Sequence, residues 1–257
     1  MNFNLVIILF LALGITSCES KAQQPDNTKP MYGEVKKNSE YTSLDNDFIK
    51  ESLNQYKTLD SSANVYTNYA WRYFYNNDLK TAMKRFNQSW LLNPEYPDSY
   101  FGFAALLEMN GNKNDSQRFY NLGFEKDVNK SRAVICFQRI ADCKEQLKDY
   151  EGTIQAYMKI AELNPKSSLA YKKIGYFNMQ LKNTDSSLKA YKKAIELDPN
   201  DAVTYNNRAY LYQKNDDLEN AILDYSKAIE LDSNYISAYV NRGISQMQKN
   251  NFEDAKK

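Results

Sequence analysis

The phrase KAIELDPN, residues 193–200, returns thirty-four residues later as KAIELDSN, residues 227–234. A period of this length signals a repeat architecture, in which one small supersecondary unit is stacked many times. Units aligned on the echo start at residues 63, 97, 134, 168, 202 and 236, with three extra residues before 134. Position 4 of successive units is Tyr66, Tyr100, Phe137, Tyr171, Tyr205 and Tyr239, and position 24 is Phe86, Tyr120, Tyr157, Tyr191 and Tyr225. Position 8 is Ala70, Ala104, Ala141, Gly175, Ala209 and Gly243; position 20 is Ala82, Ser116, Thr153, Ser187, Ala221 and Ala255. Aromatic residues make up only 14% of the chain, so two wholly aromatic columns are not coincidence.

The spacing within a unit has a physical meaning. Positions 4, 8 and 11 recur at i, i+4, i+7 and share one helix face, and positions 20, 24 and 27 do the same on a second helix. Turn-forming stretches such as Asn76-Asn77-Asp78, Lys182-Asn183-Thr184 and Asn215-Asp216-Asp217 lie between them. Small residues at 8 and 20 let two antiparallel helices approach closely, and the aromatics at 4 and 24 fill the space beside them. Pro94, Pro165 and Pro199 at position 32 end the second helix. The second unit departs most from the pattern, with Val128 in place of proline, and Ile160 fills the small position 27 of the third.

These columns resemble the tetratricopeptide repeat family. The resemblance covers residues 63–257 and implies an all-α fold, a right-handed superhelical solenoid of antiparallel helix pairs. Ahead of the array, residues 41–62 are expected to form a capping helix, with Leu44, Phe48, Leu53 and Tyr56 at helical spacing and Ser43 as its N-cap. The sixth unit reaches its twenty-second position at Lys257, just inside its second helix. Tyr239, Gly243 and Ile244 therefore lack their usual cover, so the chain is expected to be part of a longer protein, or to be covered there by another chain.

In this family the first helices of successive units line a concave groove. Resemblance places positions 2, 5, 9, 12 and 13 on it. These include Thr67, Trp71, Phe74 and Tyr75, then Phe101 and Glu108, then Gln138, Asp142 and Glu145. Lys172, Tyr176 and Met179 follow in the fourth unit, and Asn206, Tyr210 and Lys214 in the fifth. Asn68, Asn207 and Asn241 occupy position 6, where the family often has an asparagine that contacts peptide backbone. Trp71, Tyr176 and Tyr210 are the anchor candidates, since aromatic anchors with polar neighbours suit capture of a peptide or partner helix. Arg208, at position 7, is placed to pair with Asp224 on the second helix of its own unit.

The N-terminus carries a different signal. Leu5–Leu13 is an unbroken apolar run, too short to span a bilayer and suited to the core of a signal peptide. Gly14-Ile15-Thr16-Ser17-Cys18 resembles a bacterial lipobox, although the preceding MNFN has no lysine or arginine. The resemblance implies removal of residues 1–17 and lipid attachment at Cys18, which tethers without spanning. Residues 18–40 then read as a disordered tether, polar and interrupted by Pro25 and Pro30. The expected location is the bacterial envelope, at the outer membrane on its periplasmic or surface face.

Chemistry is sparse. The chain has no histidine, which removes His-based triads and HExxH sites, and no glycine-rich phosphate loop is present. A net charge of +1 argues against nucleic acid as a partner. Cys136 and Cys143 lie about 10 Å apart along one helix, too far to pair with each other, and no metal spacing is evident. Ser186-Ser187-Leu188-Lys189 matches an SxxK pattern without the companion motifs that catalysis needs. The reading is therefore a non-enzymatic, lipid-anchored scaffold without cofactor or metal, holding a peptide or protein in its groove. Two alternatives are an adaptor region of a longer enzyme or secretion-complex protein, and a lipoprotein that self-associates through its uncovered last repeat.

Overall fold

A computed structural model describes residues 24–255, with side chains described through residue 250. Among the described residues all regular structure is helical. Helix α1 spans Ser39–Tyr56, and five hairpins follow: α2 (Leu59–Tyr75) with α3 (Leu79–Leu92), α4 (Pro97–Met109) with α5 (Lys113–Lys126), α6 (Ser131–Gln146) with α7 (Tyr150–Leu163), α8 (Ser168–Gln180) with α9 (Thr184–Leu197), and α10 (Ala202–Lys214) with α11 (Leu218–Leu231). Helix α12 (Ile236–Ala255) packs on α11. None of the described helices is long and apolar enough to cross a membrane.

Each hairpin turns in the same way. Position 15 adopts a left-handed conformation in all five units: Asn77, Gly111, Lys148, Lys182 and Asp216 have φ of 58°, 78°, 58°, 61° and 59°. Asn, Asp and Gly tolerate this, whereas each lysine costs about 1 kcal/mol that hairpin packing must offset. Position 16 is Asp78, Asn112, Asp149, Asn183 or Asp217 and N-caps the second helix; all but Asn183 accept a backbone N–H there.

The small columns meet as their spacing predicts. Ala70 with Ala82, and Ala209 with Ala221, are fully buried. Where position 20 is serine, its hydroxyl donates to the position 8 carbonyl: Ser116 Oγ to Ala104 O at 2.9 Å and Ser187 Oγ to Gly175 O at 2.6 Å. Position 24 fills the hairpin core, and a Cβ on Gly175 would lie 2.7 Å from the Tyr191 ring. Its phenols reach position 12: Tyr120 Oη donates to Glu108 at 2.9 Å and Tyr225 Oη to Gln213 at 3.0 Å. Met179 stands at position 12 of the fourth unit, and the buried Tyr191 hydroxyl has no partner. The Arg208–Asp224 pair forms with two bonds, Nε to Oδ2 at 2.7 Å and Nη2 to Oδ1 at 2.9 Å.

Three expectations about the ends need correction. Residues 18–40 are not a disordered tether throughout: 24–38 form a strap on α3, whereas Cys18 and residues 1–23 lie outside the described residues. A composition argument misses this because a single buried side chain organises the strap. Asn87 donates to the carbonyl of Lys29 at 2.8 Å and to Asn27, and accepts from the Tyr32 N–H. Tyr32 is buried, and Arg118 holds Glu34 with bonds of 2.6 and 2.7 Å. Met31, Tyr32, Gly33 and Glu34 all have positive φ, a left-handed turn that docking must stabilise. Asn87→Ala leaves these buried backbone groups unpaired. It is expected to cost about 2 kcal/mol and to open the Lys36-Lys37 bonds to trypsin, read by timed digestion.

The capping helix starts at Ser39 rather than 41, with Asn38 rather than Ser43 as N-cap, and it ends at Tyr56, because Leu59–Tyr75 is already the first helix of unit one. Phe48 packs edge-on against Tyr66, while Leu44 stays exposed. At the other end, residues 236–255 continue as one helix, and the expected turn into a second helix does not form.

Candidate concave groove

The first helices of the units, α2, α4, α6, α8, α10 and α12, line the concave side. Its two halves differ. Helix α4 reads PDSYFGFAALLEM, apolar almost all round, and such a helix is buried. Its covering element is α6, which begins at Ser131, packs on α4 and reaches α2. Left-handed Lys130 aims α6, and Asp127 Oδ2 accepts the Ala133 N–H at 2.7 Å.

This narrows the groove over the first three units to a cleft lined by Asn68, Trp71, Arg72, Tyr75 and Arg139. Arg139 Nη2 donates to Asn68 Oδ1 at 2.8 Å, and the guanidinium lies 5.7 Å from the Trp71 ring centre. Both residues occupy position 6, two units apart, with Gly102 between them. Trp71 is 2% exposed, packed edge-on against Phe74 and Phe86, so it is core and not an open anchor. Tyr75 is half-buried, and burial with the nearby Asp142 carboxylate pushes its phenol up. Thr67 is buried and bonded to Ser89, and Phe101 is fully buried. Gln138 donates to Tyr157 Oη and Asp142.

The junction under α6 holds a charge cluster that spacing did not reveal. Asp98 is 2% exposed, with Arg132 Nε 3.2 Å away. Burial pushes its carboxyl up to about 7, with Arg139 opposing and Asp127 reinforcing. A raised carboxyl keeps its proton in the folded state after the unfolded chain has lost it. Stability from this group is therefore intact below about pH 4 and lost as pH rises to about 7. Asp98→Asn is expected to gain stability relative to the native chain across that window and to level off above it, measured by urea unfolding at several pH values. Cys136 and Cys143 are free and buried, and burial raises both thiols.

The C-terminal half is open. Tyr176 and Tyr210, both at position 9, are 36% and 38% exposed. Leu169 and Val203 at position 2 are exposed, as are Val240 and Ile244 on α12. These four aliphatics stand in the groove columns, positions 2, 5 and 9, and extend its apolar surface beyond the tyrosines. Asn206 lies at the floor, 8% exposed, its Oδ1 accepting no hydrogen bond, while its Nδ2 reaches Asn207 at 3.4 Å. Lys172 is engaged, donating to Asp201 at 2.7 Å; despite partial burial, Asp201 is held below the usual carboxylate range by Lys172 and Thr204. Lys214 lies 5.3 Å from the Tyr210 ring centre. Among the described residues no cluster of acidic or thiol groups suits a metal ion.

A stack of helix hairpins with one accessible concave face defines a protein-interaction scaffold. Tetratricopeptide-repeat models match residues 136–167, 170–201 and 190–222, and a TPR-repeat model matches 215–250. The chain is a tetratricopeptide-repeat protein. No curated protein matches it. Similar solved structures include YrrB, described as a TPR protein with an unusual peptide-binding site, at 17% identity over 76% of this chain and 97% of that one, TM-score 0.48. Another is MamA from Desulfovibrio magneticus RS-1, at 16% identity over 67% and 96%, TM-score 0.43. A third is PilF of Pseudomonas aeruginosa, at 14% identity over 74% and 91%, TM-score 0.42. Likenesses at this level carry nothing about what this chain binds.

Proposed function

We propose that this chain is an envelope-anchored scaffold, lipid-attached at Cys18, that binds an extended peptide or protein segment in the C-terminal half of its concave face. The carrying observation is Asn206 Oδ1. A buried acceptor without a donor is costly, and a backbone N–H of a bound segment would supply one. Exposed Tyr210, one turn along α10 from Asn206, and Tyr176 on α8 supply rigid apolar contact. The action is stoichiometric binding, with no chemical step. The N-terminal half contributes stability to the stack, since Thr67, Trp71, Phe74 and Phe101 are buried in it.

The groove reading is tested by crosslinking in the native membranes, followed by affinity capture of the native chain and of the Tyr176→Ala/Tyr210→Ala variant. A partner held by the groove is lost from the double variant. Equal recovery from both sinks the reading. Acylation is tested separately, by the mass of the N-terminal peptide of the mature chain.

A further inference from the structure

The strap and α3 form one surface on the side of the hairpins opposite the groove. Helix α3 carries Lys80, Lys84 and Arg85 and no carboxylate. Lys80, Lys84, Asn87 and Leu91 recur at i, i+4, i+7 and i+11, so the two lysines continue the stripe on which Asn87 holds the strap. The carboxylates at the strap are already engaged: Asp26 with Thr28 and Lys29, Glu34 with Arg118, and Asp45 with Lys37. Lys36, Lys80 and Lys84 are exposed and have no ion pair among the described residues. Asp78, the exposed N-cap of α3, lies near both Lys80 and Lys84, and with Lys36 and Arg85 counted the shoulder keeps a net positive charge.

Its position relative to Cys18 gives that charge a use. Asp26 is docked, and eight Cα–Cα steps of chain separate it from Cys18. Fully extended, they reach no further than about 28 Å. A bilayer that holds Cys18 therefore lies within that distance of the strap. We propose that this shoulder lies against the membrane and takes anionic lipid headgroups on Lys36, Lys80 and Lys84, with the groove opening away from the bilayer. The inference rests on the lipid attachment proposed above. Near an anionic surface each exposed lysine adds attraction, which would orient a chain already tethered at Cys18.

The test uses the full chain carrying Cys18→Ser, mixed with vesicles of phosphatidylcholine alone or of equal parts phosphatidylcholine and phosphatidylglycerol. The expected result is co-sedimentation with the anionic vesicles beyond that with the neutral ones, weakening as salt is raised. Adding Lys80→Glu and Lys84→Glu is expected to weaken it roughly tenfold or more, with the thermal midpoint unchanged. Equal sedimentation with both vesicle types, or no loss in the lysine variant, overturns the proposal. Mass spectrometry of the native chain keeps the two readings apart. Lysine-dependent binding by a chain that carries no acyl mass retains the surface and sinks the anchor, and an acylated chain whose Cys18→Ser form ignores anionic vesicles does the reverse.

Discussion

Trp71→Ala is expected to cost about 4 kcal/mol of folding stability, the range for removing a large buried aromatic. The indole is 2% exposed and sits between Phe74 and Phe86 beneath Arg139. Truncation leaves a cavity that these rings cannot refill without leaving their own packing. In a stack of repeats the loss stays local. Hydrogen exchange is expected to accelerate in α2–α6 while α8–α11 keep their protection. By contrast, Tyr210→Ala is expected to move stability by less than about 1 kcal/mol, because Tyr210 is exposed on the open half. If Trp71→Ala proves neutral to folding and selectively weakens partner capture, the assignment of Trp71 to the core is wrong.

Asp224→Ala is expected to cost about 3 kcal/mol, because it strands the guanidinium of Arg208. The two side chains are 18% and 11% exposed, so little water is available to replace the lost bonds. The residual charge is the damage, not the lost attraction. Replacing both residues with leucine is therefore expected to restore most of the stability. Urea unfolding of the single and double variants measures both effects, and an unchanged midpoint for Asp224→Ala would show that the pair carries no structural load.

The repeat was legible because its physics is local. An aromatic every thirty-four residues, small residues at 8 and 20, and turn residues between them each report a helix face or a chain reversal. The hairpins at 168 and 202 begin where those columns place them, and Arg208 meets Asp224 as their spacing implies. The position 16 caps are local as well: Asp78 and Asp217 stand in the turn-forming stretches and accept a backbone N–H of the helix that follows.

The chain's own order of residues thus determined a stack of helix pairs, its register and the side each column faces. Which part of the groove stays open was decided only by tertiary packing. Arg139 meets Asn68 across seventy-one residues, a distance no periodicity reports. The strap is the same kind of case: Asn87 lies fifty-five residues from Tyr32 and supplies the bonds that its polar sequence cannot make alone. Local spacing sets which face a side chain is on, whereas coverage of that face depends on where a distant helix lands. Helix α6, which begins three residues ahead of the third unit's register, packs on α4 and reaches α2, and Trp71 lies buried against Phe74 and Phe86 beneath its Arg139.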